Sequence, residues 1–274
     1  MVLAIAPTLP IKAQKTVVVS TPLSPEQMKF LAESGNPQAQ CKLGGSYYYG
    51  ENGFEQDYKK AFYWYNEAAK QNYTDAFCDL GNCYSNGQGV ARDLEEAAFW
   101  YRKGAEAGHG NAQSNLGNCY LTGEGVAQNK EKAFYWFKKA ADQNNVFGNF
   151  NLGYCYYYGS GTVRNYKKAV EYFRKVAREG IALAQYFLGE CYYYGRGVER
   201  NYPEAVMWYR KAAEQNDADA LYAVGYCYEH GNGVKKDYEE SLKWYRKAAE
   251  LGHEKAEQKV EDHEQFMFWF NGEN

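Results

Sequence analysis

The chain has no apolar run approaching the ~20 residues needed to cross a bilayer, so no membrane-inserted helix is expected. Histidine is scarce. The four present, His109, His230, His253 and His263, form no HExxH and no metal-ligand spacing, and each reads as a surface side chain. There is no CxxC pair, which removes the common zinc frameworks. A phosphate-binding GxxxxGK[ST] is also missing, as is any SxxK arrangement that would set a lysine beside a serine nucleophile. Charge of one sign is not in excess: the net charge is −3 and the isoelectric point near 5.9, which offers phosphate backbones and anionic lipid no general attraction. Nucleic acid is therefore not expected as a partner, and no residue set calls for a metal or a cofactor.

What the chain does have is tyrosine, 28 in 274 residues, with a hydrophobic content of 45% that allows a packed core. Its seven cysteines are an odd number, and Cys83, Cys119, Cys155, Cys191 and Cys227 are each 36 residues apart. Equivalent places in stacked units lie about 8 to 10 Å apart, beyond the ~7 Å between Cα atoms that a disulfide tolerates. These cysteines read as small buried hydrophobes. The opening MVLAIAPTLPIKAQ lacks a basic start and carries Pro7 and Pro10. It reads as a disordered leader, with a signal-peptide remnant as the alternative, and a cytoplasmic protein is favoured over a secreted or periplasmic one.

The spacing extends beyond cysteine. The motif [L/V]-G-x-[C/S]-Y has its glycine at Gly44, Gly81, Gly117, Gly153, Gly189 and Gly225, six copies with a period of 36 or 37. Each period resolves into two helices. In the first, Ala112, Leu116, Cys119 and Tyr120 share one face of a 3.6-residue period, and Gly123 is placed to end the helix in the left-handed conformation. After a short GxGV-like turn, Asp57, Asp93, Asn129, Asn165, Asn201 and Asp237 are N-cap residues of the second helix. Asp93 with Glu96 and Asp237 with Glu240 resemble capping boxes, and Pro203 fits a first turn. The second helix carries Ala61, Ala97, Ala133, Ala169 and Ala205 for close approach, with Trp64, Trp100, Trp136, Tyr172, Trp208 and Trp244 expected to fill the space between repeats. Basic pairs such as Lys138-Lys139 and Arg210-Lys211 read as a solvated face.

The series LGNCYLTGEGVAQNKEKAFYWFKKAADQ (Leu116 to Gln143) resembles the Sel1-like repeat, a relative of the tetratricopeptide repeat, and the resemblance covers residues 37 to 252. It implies an all-α fold, an α-solenoid superhelix of antiparallel helix-turn-helix repeats, and a non-enzymatic scaffold or adaptor that binds other proteins. Some bacterial members carry two cysteines per repeat in a disulfide. Most repeats here have one, so neither that bridge nor secretion follows from the resemblance. Around the six repeats the chain divides into a leader or signal remnant over 1–24, an N-terminal cap helix over 25–36 and a C-terminal cap over 253–274. In the last of these, Ala256 and Val260 keep the repeat phase and Glu261 replaces its glycine. The segment FMFWF, Phe266 to Phe270, folds back or mediates self-association.

Comparison of the six copies separates scaffold from variable positions. By similarity to the tetratricopeptide fold, the residues three before the repeat glycine and one, four and five after it line the inner groove. In repeats one to three these are small and mostly polar. In the fourth they are Phe150, Tyr154, Tyr157 and Tyr158; in the fifth Tyr186, Glu190, Tyr193 and Tyr194; in the sixth Tyr222, Tyr226, Glu229 and His230. Tyrosine offers contact area at low entropic cost and a hydroxyl for orientation. These twelve residues are the expected contacts for a protein or peptide ligand, with Glu190, Glu229 and Asp219 favouring a basic residue in it. A small-molecule or glycan site on the tyrosines and a structural oligomer built through FMFWF are the alternatives.

Overall fold

The structure, a computed structural model, describes residues 23–272, with side chains described to 265. Among the described residues there are fourteen α-helices and no strand. The cap helix α1 (Pro25–Glu33) precedes six hairpins, α2 (Pro37–Tyr49) with α3 (Tyr58–Lys70), α4 (Thr74–Asn86) with α5 (Leu94–Glu106), α6 (Gly110–Thr122) with α7 (Lys130–Asp142), α8 (Val146–Tyr158) with α9 (Tyr166–Arg178), α10 (Ala182–Tyr194) with α11 (Tyr202–Ala213) and α12 (Ala218–His230) with α13 (Tyr238–Glu250); α14 (Glu254–Gly272) closes the stack. Each helix packs on its hairpin partner, and each second helix on the next first helix. First helices also approach one another, α4 to α6 and α6 to α8, which sets them on the inner side of the curve. None of the described helices is long and apolar enough to cross a membrane.

The expected stripes are in place, with one change. Leu43, Leu80, Leu116, Leu152 and Leu188 and the recurrent alanines are buried, but the tryptophans are only half-buried. The aromatic that fills the core is the next residue, Tyr65, Tyr101, Phe137, Phe173, Tyr209 or Tyr245, whose ring lies on the repeat glycine of its own hairpin. A β-carbon at Gly81 would overlap the Tyr101 ring, so the motif glycine serves helix contact. Three of the tryptophans lie beneath a lysine one turn on, with Lys103 4.8 Å from the Trp100 ring centre, Lys211 4.4 Å from that of Trp208 and Lys247 5.1 Å from that of Trp244.

Turns and caps explain the constant period. Gly123 ends α6 at φ 84°, as expected. The second glycine of each GxG turn rests on the start of the preceding repeat's second helix; at Gly125, φ is +70° and a β-carbon would strike the Leu94 carbonyl. Asp57, Asp93, Asn129, Asn165, Asn201 and Asp237 all cap their helices. The capping boxes expected at Asp93 and Asp237 form only by half. Their own N–H groups donate to the carbonyls of Tyr84 (2.9 Å) and Tyr228 (3.0 Å), which removes the donor that Glu96 and Glu240 would have accepted from.

All seven cysteines are free thiols, and six of them are buried. His109 and His253 are not plain surface side chains. Their Nδ1 atoms accept from the N–H groups of Ala112 (3.3 Å) and Ala256 (3.2 Å), capping α6 and the start of α14, while Nε2 faces Asp75 (3.6 Å) and Asp219 (3.4 Å). Burial pushes the His109 pKa below its usual value against the opposing pull of Asp75. At the ends, Met28 and Ala32 of α1 pack with Ala39 and Leu43, and Ala256 and Val260 of α14 join the last core cluster. The leader expected over 1–24 lies almost wholly outside the described residues, as do the FMFWF side chains.

Candidate protein-interaction groove

The four inner-face positions do not behave alike. Four residues after the glycine, a tyrosine, where present, is engaged by the next repeat. The Tyr48 hydroxyl donates to Gln88, Arg196 donates to the Tyr157 hydroxyl, and Asn232 donates to that of Tyr193 at 2.6 Å. The partner is always the residue between the two glycines of the following GxG turn. Tyr157 is only 4% exposed, among the rings of Tyr166, Phe173 and Phe187, so it belongs to the core and presents no ring to a ligand. The turn geometry that aims this residue back one repeat is invisible in the period alone.

One residue further on, the surface opens. Tyr158 and Tyr194 are 52% and 53% exposed, the most open of the twelve expected contacts that are tyrosines. Tyr154 supports Tyr158, their ring centres 4.5 Å apart, and the Arg196 guanidinium lies 4.6 Å from the centre of Tyr194. In the sixth repeat His230 takes this place, stacked on Tyr226 at 4.0 Å. Tyr222 is stacked on His253 at 4.5 Å and is thereby partly covered by the start of α14.

The aromatic half has a centre that the inner-face positions omitted. Phe187, two residues before its glycine and nearly buried, touches the rings of Phe150, Tyr154, Tyr157, Tyr158 and Tyr186, and stacks on Phe173 at 5.2 Å. The signal was available: Asn115 and Asn151 hold this position in the two preceding repeats and a phenylalanine replaces them in the fifth.

The acids are more engaged than expected. Glu190 accepts from the Tyr209 hydroxyl at 2.6 Å; burial raises its pKa against that bond. Glu229 accepts from Tyr245 (2.6 Å) and Lys259 (2.7 Å), and although burial opposes them these bonds hold its carboxyl below the usual range. Asp219 faces His253. On the second helices Tyr101, Tyr209 and Tyr245 donate to Asn82, Glu190 and Glu229 respectively, whereas Phe137 and Phe173 donate nothing.

A curved stack of helical hairpins, with side chains tied down at some inner positions and open at others, defines a tetratricopeptide-like α-solenoid. The chain belongs to the Sel1 repeat family, whose repeat matches residues 37–73, 75–109, 110–145, 146–181, 182–217 and 218–253. It is similar to c5321, a protective antigen of uropathogenic Escherichia coli strains with an SLR fold, at 37% identity and a TM-score of 0.75; the match covers 88% of this chain and 51% of that one, so this chain spans about half the length of that relative. A Sel1 repeat protein from Oxalobacter formigenes matches at 30% identity and a TM-score of 0.73, over 81% of this chain and 90% of that one. Comparison with curated protein sequences gives no match. Sel1 repeat proteins typically mediate protein–protein interaction.

Proposed function

We propose that the protein is a non-enzymatic adaptor that holds a protein or peptide segment along the inner face of repeats four to six. The observation that carries this reading is the pair Tyr158 and Tyr194, equivalent residues of adjacent repeats, both about half exposed on the same face. Half-exposed tyrosines backed by packed rings lose little side-chain entropy on binding and present both apolar surface and a hydroxyl. Tyr154, Tyr186 and Tyr226 extend the surface, while Phe150, Tyr157, Tyr193 and Phe187 hold it in shape.

Affinity capture on the wild type and on a Tyr158→Ala, Tyr194→Ala variant, compared by mass spectrometry, tests it. Partners enriched on the wild type are expected to fall at least tenfold on the variant at unchanged thermal stability. Equal recovery on both would show that ligands bind elsewhere.

A further inference from the structure

The first half of the inner face is built differently, from rungs of side-chain amides. Asn115 donates to Asn82 Oδ1 at 3.3 Å and approaches Cys78 Sγ at 3.7 Å; one repeat on, Asn151 donates to Asn118 Oδ1 and to Ser114 Oγ, both at 3.3 Å. Each rung joins the residue two before one repeat glycine to the residue one after the preceding glycine. At the first seam the pattern breaks. The position of Asn115 is taken by Asp79, and that of Asn82 by Gly45, which has no side chain to answer it.

Two polar groups are left facing that gap. Asp79 keeps only the equivalent of the Ser114 contact, accepting from the Cys41 thiol at 3.4 Å, and among the described residues no cation lies within 4 Å of it. The other inner-face acids all have partners: His109 for Asp75, His253 for Asp219, Tyr209 for Glu190, Lys259 for Glu229. Tyr65 is 3% exposed, and its hydroxyl has no hydrogen-bond partner among the described residues, whereas those of Tyr101, Tyr209 and Tyr245 are all bonded. Its hydroxyl oxygen lies 3.7 Å from where a Gly45 β-carbon would sit, so it points into the open rung. Beside it Tyr49 is 46% exposed. Burial first and the Asp79 charge second push the phenols of Tyr49 and Tyr65 up, and burial raises Asp79 itself to about 7.

We propose that the open rung over Gly45 is a subsite for the guanidinium of one arginine of a protein partner, its N–H groups donating to the Asp79 carboxylate and the Tyr65 hydroxyl and its plane lying on Tyr49. A guanidinium has donors in a planar fork and stacks on aromatic faces, which matches one carboxylate, one unbonded hydroxyl and one open ring. The charge balance fits as well: an inner-face carboxylate with no cation of its own is completed by one. This subsite is separate from the tyrosine surface of repeats four to six.

The test is an NMR titration of the full chain, followed at the Asp79 carboxyl and the Tyr49 and Tyr65 rings, with N-acetylarginine amide as probe and its neutral isostere N-acetylcitrulline amide as control. Arginine is expected to give saturable shifts at all three residues and to move the Asp79 titration midpoint down by one pH unit or more, while citrulline gives none. Asp79→Asn removes the acceptor, and Gly45→Asn rebuilds the rung at a site with room for a β-carbon; each should cut the arginine response at least fivefold. Tyr158→Ala with Tyr194→Ala should leave it unchanged, which separates failure of this subsite from failure of the tyrosine groove. Equal shifts with citrulline, or an undiminished response in the folded Gly45→Asn protein, would overturn the assignment.

Discussion

At Gly81 the Tyr101 ring lies where any β-carbon would go, and the repeat glycine elsewhere meets the same ring to differing degrees. Alanine favours a helix over glycine by about 1 kcal/mol, so a net loss on substitution isolates the ring contact. Gly81→Ala is expected to destabilise the protein by ~1–3 kcal/mol in urea unfolding, and Gly45→Ala, whose nearest neighbour is the Tyr65 hydroxyl at 3.7 Å, to be neutral or stabilising. Equal effects at both sites would contradict the ring constraint. Asp79 makes a prediction of opposite character. Its folded pKa of about 7 stands above the ordinary aspartate value of about 3.9. The protonated form therefore stabilises the fold, a contribution fully present below about pH 4 and lost as pH rises through about 7. Asp79→Asn should gain at least ~1 kcal/mol over wild type between pH 5 and pH 8; a constant difference across that range would show that Asp79 titrates normally.

Among the elements, the hairpins alternate in a way the 36-residue period conceals. Four residues before the glycine, repeats one, three and five carry Gln40, Gln113 and Gln185, each donating to a carbonyl of the preceding second helix (Ala32, Ala105 or Ala177). Each also accepts from a glutamine after its own second helix, Gln71, Gln143 or Gln215, at 2.8 to 2.9 Å. Repeats two, four and six have Phe77, Asn149 and Leu221 there. Asn149 is the exception, because it is buried and its Oδ1 has no partner. An unpaired buried carbonyl costs about 1–3 kcal/mol, so Asn149→Leu, which copies the sixth repeat, should raise the unfolding midpoint. A drop in stability would mean that the Asn149 amide donation to the Asn145 carbonyl, at 3.0 Å, outweighs the orphaned oxygen.

For the whole molecule, stacking makes stability a sum of neighbouring seams. Removal of residues 254–274 takes away Ala256, Val260 and the Lys259–Glu229 pair. Hydrogen exchange is then expected to accelerate at least tenfold in α12 and α13 and to stay unchanged in α2 to α5; uniform acceleration would show a single cooperative unit. Charge is also divided between the two layers. The first helices of the six hairpins carry one base, Lys42, against five acids, Asp75, Asp79, Glu190, Asp219 and Glu229. The second helices carry 19 bases against 11 acids. A net charge of −3 hides an acidic inner layer and a basic outer one.

Period, helix pairing, caps and buried leucines were all legible in the order of residues, because each depends on local spacing and on a motif repeated six times. Helix pairs followed from those, and the solenoid from the resemblance to the Sel1-like repeat. The candidate surface was legible only as a set of positions. Tyr157, Tyr158, Tyr193 and Tyr194 are one residue type in two adjacent places, yet the first and third are held by Arg196 and Asn232 of the next repeat's turn while the second and fourth stay open. Phe187 became the hub, and the rung at Gly45 became a gap, through contacts between residues 30 to 40 apart in the chain. Local pattern decides what each helix buries against itself; which side chains remain free is decided where one repeat meets the next, and that depends on the stacking.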